Sequence, residues 1–404
     1  MNLYHKLHLI TLASLILLLA GCSGGNGQSK EDGVIESLIE KLGGADRNIQ
    51  MDASAELRKL SEESNDVIPA LTDALGNENA LIRAGAADTL GEIGKTSEVP
   101  EEALVKLLED DEVRVRVSAA GALAVIRDDA GDVLPVLIEG LRAGDADVRL
   151  KTVFAFIFFK PKICKGIPEA VPHLIELLDD ADVRVRTMVS SALWQFGRAA
   201  VNGLIKALGD ESIATRYNAA RAFQYLGPDA IDALPALIET LGDDESRVAI
   251  YAAIAIAKIS PDDAGPALDL LIEGLLVDDG SGTRNISAEA LADMGPAAEK
   301  AVPTLLKTMK TAEGFARVDI AFALTRISES HIGTGLGVLI EELASDDQVA
   351  RLLAAQYLGE IGPDASSALP KLKEMTDTDE VEYVRKAVSK VIEKIEIDDT
   401  TETK

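Results

Sequence analysis

The sequence has few of the residues from which catalytic and metal sites are built. Its 404 residues include four histidines, two cysteines and one tryptophan, and aromatic residues make up only 4% of the chain. After residue 21 the only histidines are His173 and His331, which lie far apart in the sequence. Two distant histidines do not form a zinc or di-iron site, and no glycine-rich phosphate loop is present. We therefore predict no catalytic residue, no metal, no cofactor and no small-molecule substrate.

Positive charge is also scarce in this chain. The 40 Lys and Arg residues face 68 Asp and Glu residues, which gives a formal net charge of -28. A surface this acidic repels nucleic acids, so we exclude them as partners. The same charge favours a protein partner with a basic surface.

The first 32 residues have the composition of an export signal followed by a tether. An apolar run over residues 9–20 is too short to span a bilayer. It ends in the tetrapeptide "LAGC", whose last residue is Cys22 and which resembles the lipobox of bacterial lipoproteins. The resemblance implies cleavage before Cys22 and a lipid on its sulfur. We predict a lipoprotein signal peptide over residues 1–21 and a flexible tether over residues 22–32, with an ordinary secretory signal or an anchor helix as the alternative.

The predicted lipid anchor also indicates a location. A lipidated Cys22 places the chain in the cell envelope, attached to a membrane. Ser23 follows the cysteine in place of the aspartate that retains some Gram-negative lipoproteins at the inner membrane. In a Gram-negative cell we therefore expect the periplasmic face of the outer membrane. Cys164 is then the only remaining cysteine, and we expect it to be a buried thiol, with an intermolecular disulfide as the alternative.

An arginine recurs along the chain about every thirty-three residues, each time eight residues after an apolar residue. The repeating arginines, here called the arginine ladder, are Arg83, Arg116, Arg149, Arg186, Arg216, Arg284, Arg317 and Arg351. Gln50 and Ala249 replace the arginine in two further units. A period of this length is typical of stacked units, none of which buries its apolar face alone. It argues against an enclosed active site.

Each unit has the pattern of two helices joined by an acidic turn. In one unit, apolar residues follow a helical face from Leu234 to Leu241, an acidic turn follows, and a second apolar run ends before Pro261. Six residues before many ladder arginines stands a short polar side chain, which we predict to cap the second helix: Asn77, Asp110, Asp180, Asp210, Asp278 and Ser345. Calcium binding is the alternative, but no twelve-residue loop with alternating acidic ligands is present.

These features resemble HEAT repeats, and more narrowly the short HEAT-like repeats first named in phycobilisome lyases. The matching features are a proline in the first helix, such as Pro235, the Asp-rich turn, the Val/Ile-Arg step and an Ala…Leu-Gly ending. The resemblance implies an all-α, right-handed α-solenoid of about eleven helix pairs, which we place at residues 33–397. It also implies that turn acids and arginines of adjacent units form a polar ladder. Residues 398–404 are polar, and we predict a disordered tail.

One stretch departs from the pattern of the other units. We expect the positions one, five and nine residues after the ladder arginine to face away from the core, and after Arg149 all three are large and apolar. Aromatic residues of the next two units extend this candidate partner-binding patch, which comprises Leu150, Phe154, Phe158, Trp194, Tyr217 and Tyr225. A basic segment, "KPKICK", follows directly. Two interpretations stay open: either the insertion covers the stripe, or the stripe is an exposed binding site.

The function that these observations favour is a lipid-anchored, protein-binding scaffold of the cell envelope without catalytic activity. The alternative from another class is an enzyme or enzyme subunit of the bilin-lyase type. The export signal argues against it, because those proteins act inside the cell. A purely structural subunit of an envelope assembly is a further alternative.

Overall fold

The protein is built from helix pairs that follow one another along the chain. The structure is a computed structural model that describes residues 27–278, 280 and 282–396. Within these residues there are eleven helix pairs and no strand. The prediction of an all-α solenoid made of helix pairs is confirmed. The predicted signal peptide over residues 1–21, its Cys22 and the predicted tail over residues 398–404 lie outside the described residues.

The chain divides into two compact units, one ending at Tyr225 and the other beginning at Leu226. Six pairs belong to the first unit, apart from the last residue of α13: α1 (Gly27–Leu42) and α2 (Arg47–Leu60), α3 (Val67–Ala74) and α4 (Ala80–Ile93), α5 (Glu101–Lys106) and α6 (Val113–Arg127), α7 (Leu134–Leu141) and α8 (Ala146–Phe158), α10 (Val171–Glu176) and α11 (Val183–Leu193), α12 (Arg198–Leu208) and α13 (Ile213–Leu226). A short extra helix, α9 (Pro161–Lys165), stands between α8 and α10.

Five pairs belong to the second unit: α14 (Leu234–Thr240) and α15 (Ser246–Ile259), α16 (Leu268–Gly274) and α17 (Thr283–Met294), α18 (Val302–Thr308) and α19 (Gly314–Ile327), α20 (Ile332–Glu342) and α21 (Gln348–Ile361), α22 (Leu369–Thr378) and α23 (Glu382–Glu396). Outside the sixth pair, the second helix of each pair packs against its own first helix, and against the second helix of the next pair in the same unit. In the sixth pair, α13 joins this row through its Asn218 carbonyl oxygen, which accepts from Ser190 Oγ of α11 at 3.0 Å. The second helices therefore form one continuous ridge in each unit, here called the inner ridge.

The first helix begins earlier than the sequence indicates. α1 starts at Gly27, so part of the segment predicted to be a flexible tether (22–32) is helical. Ile35, Leu38 and Leu42 of this helix are buried, with 1–3% exposure. A helix held by such packing extends toward its N-terminus at little cost, because propagation is easier than nucleation.

Small and large apolar residues alternate in the core between second helices. The alanine four residues after the ladder arginine is fully buried in several pairs, and so is the larger residue three positions later: Ala87 and Leu90, Ala120 and Leu123, Ala220 and Phe223, Ala355 and Leu358. A Cβ atom on Gly91 would lie 2.8 Å from the Cα atom of Ala122, so the glycine permits close approach of α4 and α6. The core is thin and is stabilised by interdigitating side chains of unlike size.

The acidic turn uses two side chains where the sequence predicts one. The residue six before the arginine does not cap the helix; it accepts from the backbone N–H two residues later, as Asp180 Oδ1 does from Asp182 at 2.8 Å. Asp182 is the helix cap, since its Oδ1 accepts from the Arg184 N–H at 2.8 Å. Asn79, Asp145 and Asp347 cap their helices in the same way. The predicted cap was therefore wrong by two residues, because its side chain closes a turn that positions the true cap.

Candidate protein-binding surface

Arg149 joins the turn before its own helix to the turn of the next pair. Its Nη1 donates to the carbonyl oxygens of Ala143 and Gly144 at 2.8 and 3.0 Å. Its Nε and Nη2 donate to the two carboxylate oxygens of Asp180 at 2.6 and 2.8 Å. The Arg149 side chain is 14% exposed and that of Asp180 is 4% exposed, so the pair is largely shielded from water. Burial alone would raise the pKa of Asp180, but the hydrogen bonds from Arg149 and the Asp182 backbone outweigh it and lower that pKa.

Five of the other ladder arginines also donate to the carbonyl oxygens six and five residues before them, and the acids that the arginines bind differ from pair to pair. Arg83 and Arg351 bind the turn acids Asp110 and Asp379 of the following pair, each through two nitrogens. Arg116 and Arg317 instead bind glutamates of the next first helix: Glu139, and Glu341 with Glu342. The remaining members bind groups of their own turn: Arg186, Arg216 and Arg284. The arginines therefore stabilise the turns at the start of the second helices, and their contacts give no indication of a ligand.

The candidate patch contains both buried and exposed residues. Leu150 is only 4% exposed, whereas Phe158 is 62% exposed and Phe154 is half-buried. The expectation that the position after the arginine faces outward was wrong, because this position packs into the core in other pairs too: Val117, Ile250 and Val318 are 0–4% exposed. The two phenylalanine rings stack with their centroids 6.2 Å apart. Trp194, Tyr217 and Tyr225 are half-buried on the next two pairs.

The insertion after α8 contributes to the core and leaves Phe158 uncovered. Phe159 is 2% exposed and meets the ring of Phe156 edge to face, at 5.7 Å between centroids. Ile163 and Cys164 of α9 are buried beside them, and burial raises the pKa of the Cys164 thiol to about 12. The three lysines of "KPKICK" remain at the surface, and two of them, Lys160 and Lys162, pair with Asp128 at 3.3 and 2.9 Å.

Two contacts reach α8 from pairs well before it in the sequence. The guanidinium carbon of Arg47, in α2 of the first pair, lies 4.8 Å from the centroid of the Phe154 ring. Lys151 of α8 forms an ion pair with Asp88 of α4. Both contacts bridge the ridge at α6, where Gly121 occupies the position equivalent to Asp88 and Phe154. The inner ridge of the first unit is therefore curved enough to bring its first pair to its fourth.

The second unit carries a buried polar network between its second helices. Asp319 accepts from Asn285 Nδ2 and from Tyr357 Oη, each at 2.8 Å, and the Tyr357 ring stacks on Phe322 at 3.9 Å. Burial, and next the negative charge of Glu289, raise the pKa of Asp319 to about 8. The sequence analysis missed this site. A signal was present, since Asp319 stands two residues after the ladder arginine, at a position that Ser118, Met188 and Tyr251 occupy in other pairs.

Lys258 lies at the edge of this network and is held by two carboxylates. Its Nζ atom is 3.3 Å from Glu289 Oε2 and 2.7 Å from Asp293 Oδ2. Burial alone would lower the pKa of Lys258, but the charges of Glu289 and Asp293 raise it above its usual value. In the second unit, polar side chains of neighbouring second helices therefore bind one another along the inner ridge.

The histidines do not form a hydrolytic arrangement with their neighbours. His331 Nδ1 lies 3.1 Å from Ser328 Oγ and 3.0 Å from Ser330 Oγ, but the nearby carboxylate, Glu299, accepts from Ser328 and not from the imidazole. This order differs from the serine–histidine–acid order of hydrolases. His173 Nδ1 lies 3.2 Å from Arg142 Nη2. Between residues 27 and 396, as far as they are described, no three His, Cys, Asp or Glu side chains are grouped to hold a metal ion. Over the same residues no helix is both long and apolar enough to cross a membrane.

Comparison with solved structures supports the fold. Among solved structures, Kap95 in the Kap95:Nup1 complex is 13% identical, with a TM-score of 0.60, over 97% of this chain and 59% of that chain. Kap121p bound to Pho4p is 13% identical, with a TM-score of 0.47, over 90% and 46%. An engineered protein is 21% identical, with a TM-score of 0.35, over 90% and 98%. This chain thus spans about half the length of Kap95 and Kap121p, and at these identities the likeness concerns the fold alone.

The sequence itself identifies the family. No curated protein matches the chain significantly. The model of HEAT repeats matches residues 35–124, 201–292 and 234–325, which together make up more than half of the 404 residues. The matched segments include helix pairs of both compact units. The chain therefore belongs to the HEAT-repeat family.

Proposed function

We propose that this protein is a lipid-anchored scaffold of the cell envelope that binds a protein partner on the inner ridge of its first unit, without catalysis. The observation that carries this proposal is the exposure of Phe158, at 62%, beside the stacked ring of Phe154. Exposure of a large aromatic side chain to water is unfavourable, and a partner that covers it gains the free energy of burying its apolar surface. Such side chains often contribute most of the binding energy of an interface. Kap95, a solenoid of similar fold, is solved as the Kap95:Nup1 complex.

The charge of the chain favours a basic partner. The net charge of -28 attracts a cationic surface and speeds its approach, and it repels an anionic one. Such steering weakens as salt is added, because charges farther apart than about 10 Å are screened at 0.1 M ionic strength. A partner bound in this way should therefore associate more slowly at high salt.

The proposed anchor rests on the "LAGC" tetrapeptide that ends at Cys22. Replacing this residue, Cys22→Ser, removes the sulfur that would carry the lipid. We expect the variant to move from the membrane fraction to the soluble fraction on cell fractionation, whereas Cys164→Ser, which changes a buried thiol, should stay with the membranes. Mass spectrometry of the wild-type protein that shows an unmodified Cys22 would remove the basis for an anchor.

The patch is tested by a pair of matched surface variants. Phe158 and Val183 are almost equally exposed apolar residues of the first unit, at 62% and 60%. We expect Phe158→Ser to abolish capture of the partner from an envelope extract, and Val183→Ser to leave it intact, with the melting temperature of both variants close to that of the wild type. The double variant Phe154→Ser with Phe158→Ser should lose capture as well, with a modest loss of stability because Phe154 is half-buried.

Two results would count against this surface. If both single variants capture the same proteins as the wild type, then Phe158 is not part of an interface. If Phe158→Ser unfolds the first unit, then the side chain contributes to the core in solution and the patch is structural.

A further inference from the structure

We propose that the partner presents an arginine or lysine side chain to the Phe154 ring, and that Arg47 is an internal competitor for that position. This inference rests on the proposed binding role of the inner ridge and names the chemistry that the ridge recognises. The ring of Phe154 already holds a cation, since the Arg47 guanidinium carbon lies 4.8 Å from its centroid. That distance is within the roughly 6 Å over which an aromatic face attracts a cation.

The position of Arg47 in its own helix does not explain its presence. Arg47 is the first residue of α2, directly after the cap Asp46. The N-terminus of a helix carries partial positive charge, so an arginine there is unfavourable for the helix. Arg47 is exposed to solvent, and its contact with Phe154 is made across the curved ridge, from the first pair to the fourth. An exposed contact of this kind is easily replaced by an equivalent cation from another molecule.

The surroundings of Phe154 also suit a cationic segment. The ring of Phe158 stacks beside Phe154 and remains 62% exposed, so a second aromatic face continues the site along α8. Asp88 lies on the same ridge, where it binds Lys151, which shows that this ridge accommodates a second cation next to a carboxylate. The net charge of -28 supplies the long-range attraction. An acidic or purely apolar segment would not use these features.

Competition predicts that removing Arg47 strengthens binding. A cation over an exposed aromatic ring is worth about 0.5–1 kcal/mol, so Arg47→Ala should raise the affinity of an arginine-bearing ligand about two- to fivefold. Removing any one positive charge also makes the protein more negative, and this alone strengthens the binding of cations slightly, wherever the charge lies. Arg58→Ala is the matched control, because Arg58 is exposed on the same helix and its loss changes the net charge equally.

The experiment measures the binding of two labelled peptides to the full-length protein by fluorescence anisotropy at 0.15 M salt. One peptide alternates arginine with glycine over nine residues, and the other alternates glutamate with glycine. We expect the arginine peptide to bind and the glutamate peptide not to bind. The Arg47→Ala variant should bind the arginine peptide about two- to fivefold more tightly than the Arg58→Ala variant does. The Phe158→Ser variant should bind it more weakly than the wild type. Circular dichroism confirms that each variant is folded.

An affinity for Arg47→Ala that is equal to or below that of Arg58→Ala would overturn the inference. So would equal binding of both peptides, or no binding of the arginine peptide by any variant. If these results occur while capture of the partner still depends on Phe158, the proposed function stands and only the cationic recognition fails. If capture does not depend on Phe158, the proposed function fails first.

Discussion

Replacing Arg149 by alanine tests how the arginine ladder stabilises the stack. The change removes two hydrogen bonds to Asp180 and two to the carbonyls of the preceding turn. It also leaves the Asp180 carboxylate, 4% exposed, without its cation. Arg186 is the matched comparison, because it occupies the same position one pair later and its guanidinium donates to the carbonyl oxygens of Asp180 and Ala181.

The two variants should differ in the free energy of unfolding. Breaking a buried ion pair from one side costs about 3–5 kcal/mol, and access of water through the partly exposed Arg149 site reduces this to about 2–4 kcal/mol. Arg186→Ala removes bonds to carbonyls that water can reach once the side chain is gone, so we expect about 1–2 kcal/mol. The double-mutant cycle of Arg149→Ala with Asp180→Ala should give a coupling free energy of about 1–3 kcal/mol.

The single tryptophan makes the assay local. Trp194 is half-buried in the turn that follows α11, in the same pair as Asp180. Urea unfolding followed by its fluorescence therefore reports on the pairs that the Arg149–Asp180 contact joins, while circular dichroism follows all helices. We expect the fluorescence midpoint to fall more for Arg149→Ala than for Arg186→Ala. An equal or smaller effect of Arg149→Ala, or a coupling free energy below about 0.5 kcal/mol, would refute the role assigned to the ion pair.

Two further predictions concern the acidic side chains. The pKa of Asp319 is about 8 in the folded protein and about 3.9 in an unfolded chain. The contribution of this group to the free energy of unfolding is therefore complete below about pH 4 and is lost as the pH rises to about 8. The loss amounts to at most about 1.4 kcal/mol per pH unit. We expect Asp319→Asn to flatten the fall in melting temperature between pH 5 and pH 8. The control Asp364→Asn, at an exposed position outside the network, should leave the slope as in the wild type; equal slopes for the two variants would show that Asp319 is ionised when folded. Because Asp110 and Asp180 bind arginine and close their turns, a chelator should leave the melting temperature unchanged, and a lowered value would indicate a calcium site.

The fold was predictable from the sequence because the residues that specify it lie within a single helix pair. The period of the arginines, the alternation of small and large apolar residues and the acidic turns each describe one helix pair, and a solenoid repeats that pair. The start of α1 and the position of the helix caps were displaced by a few residues, since turns and helix ends depend on detailed backbone geometry.

The candidate site depended on information that one repeat does not contain. The contacts of Arg47 with Phe154 and of Lys151 with Asp88 join pairs that are not neighbours in the sequence. They arise from the curvature of the stack, which is the sum of small rotations from pair to pair and leaves no local sequence signal. The exposure of Phe158 depends in the same way on where the inserted α9 lies. Leu150 was placed in the patch because a helical stripe was inferred without the neighbouring helices that bury it.

Site-specific cross-linking tests most directly whether the inner ridge binds a protein. A photoreactive phenylalanine analogue is placed at Phe158 or at Val183, and intact cells are irradiated before the protein is purified. The account predicts a cross-linked protein of defined mass from the Phe158 position and none from the Val183 position, although the two sites are almost equally exposed, at 62% and 60%. The same products from both positions, or no product from Phe158, would contradict a partner-binding surface there.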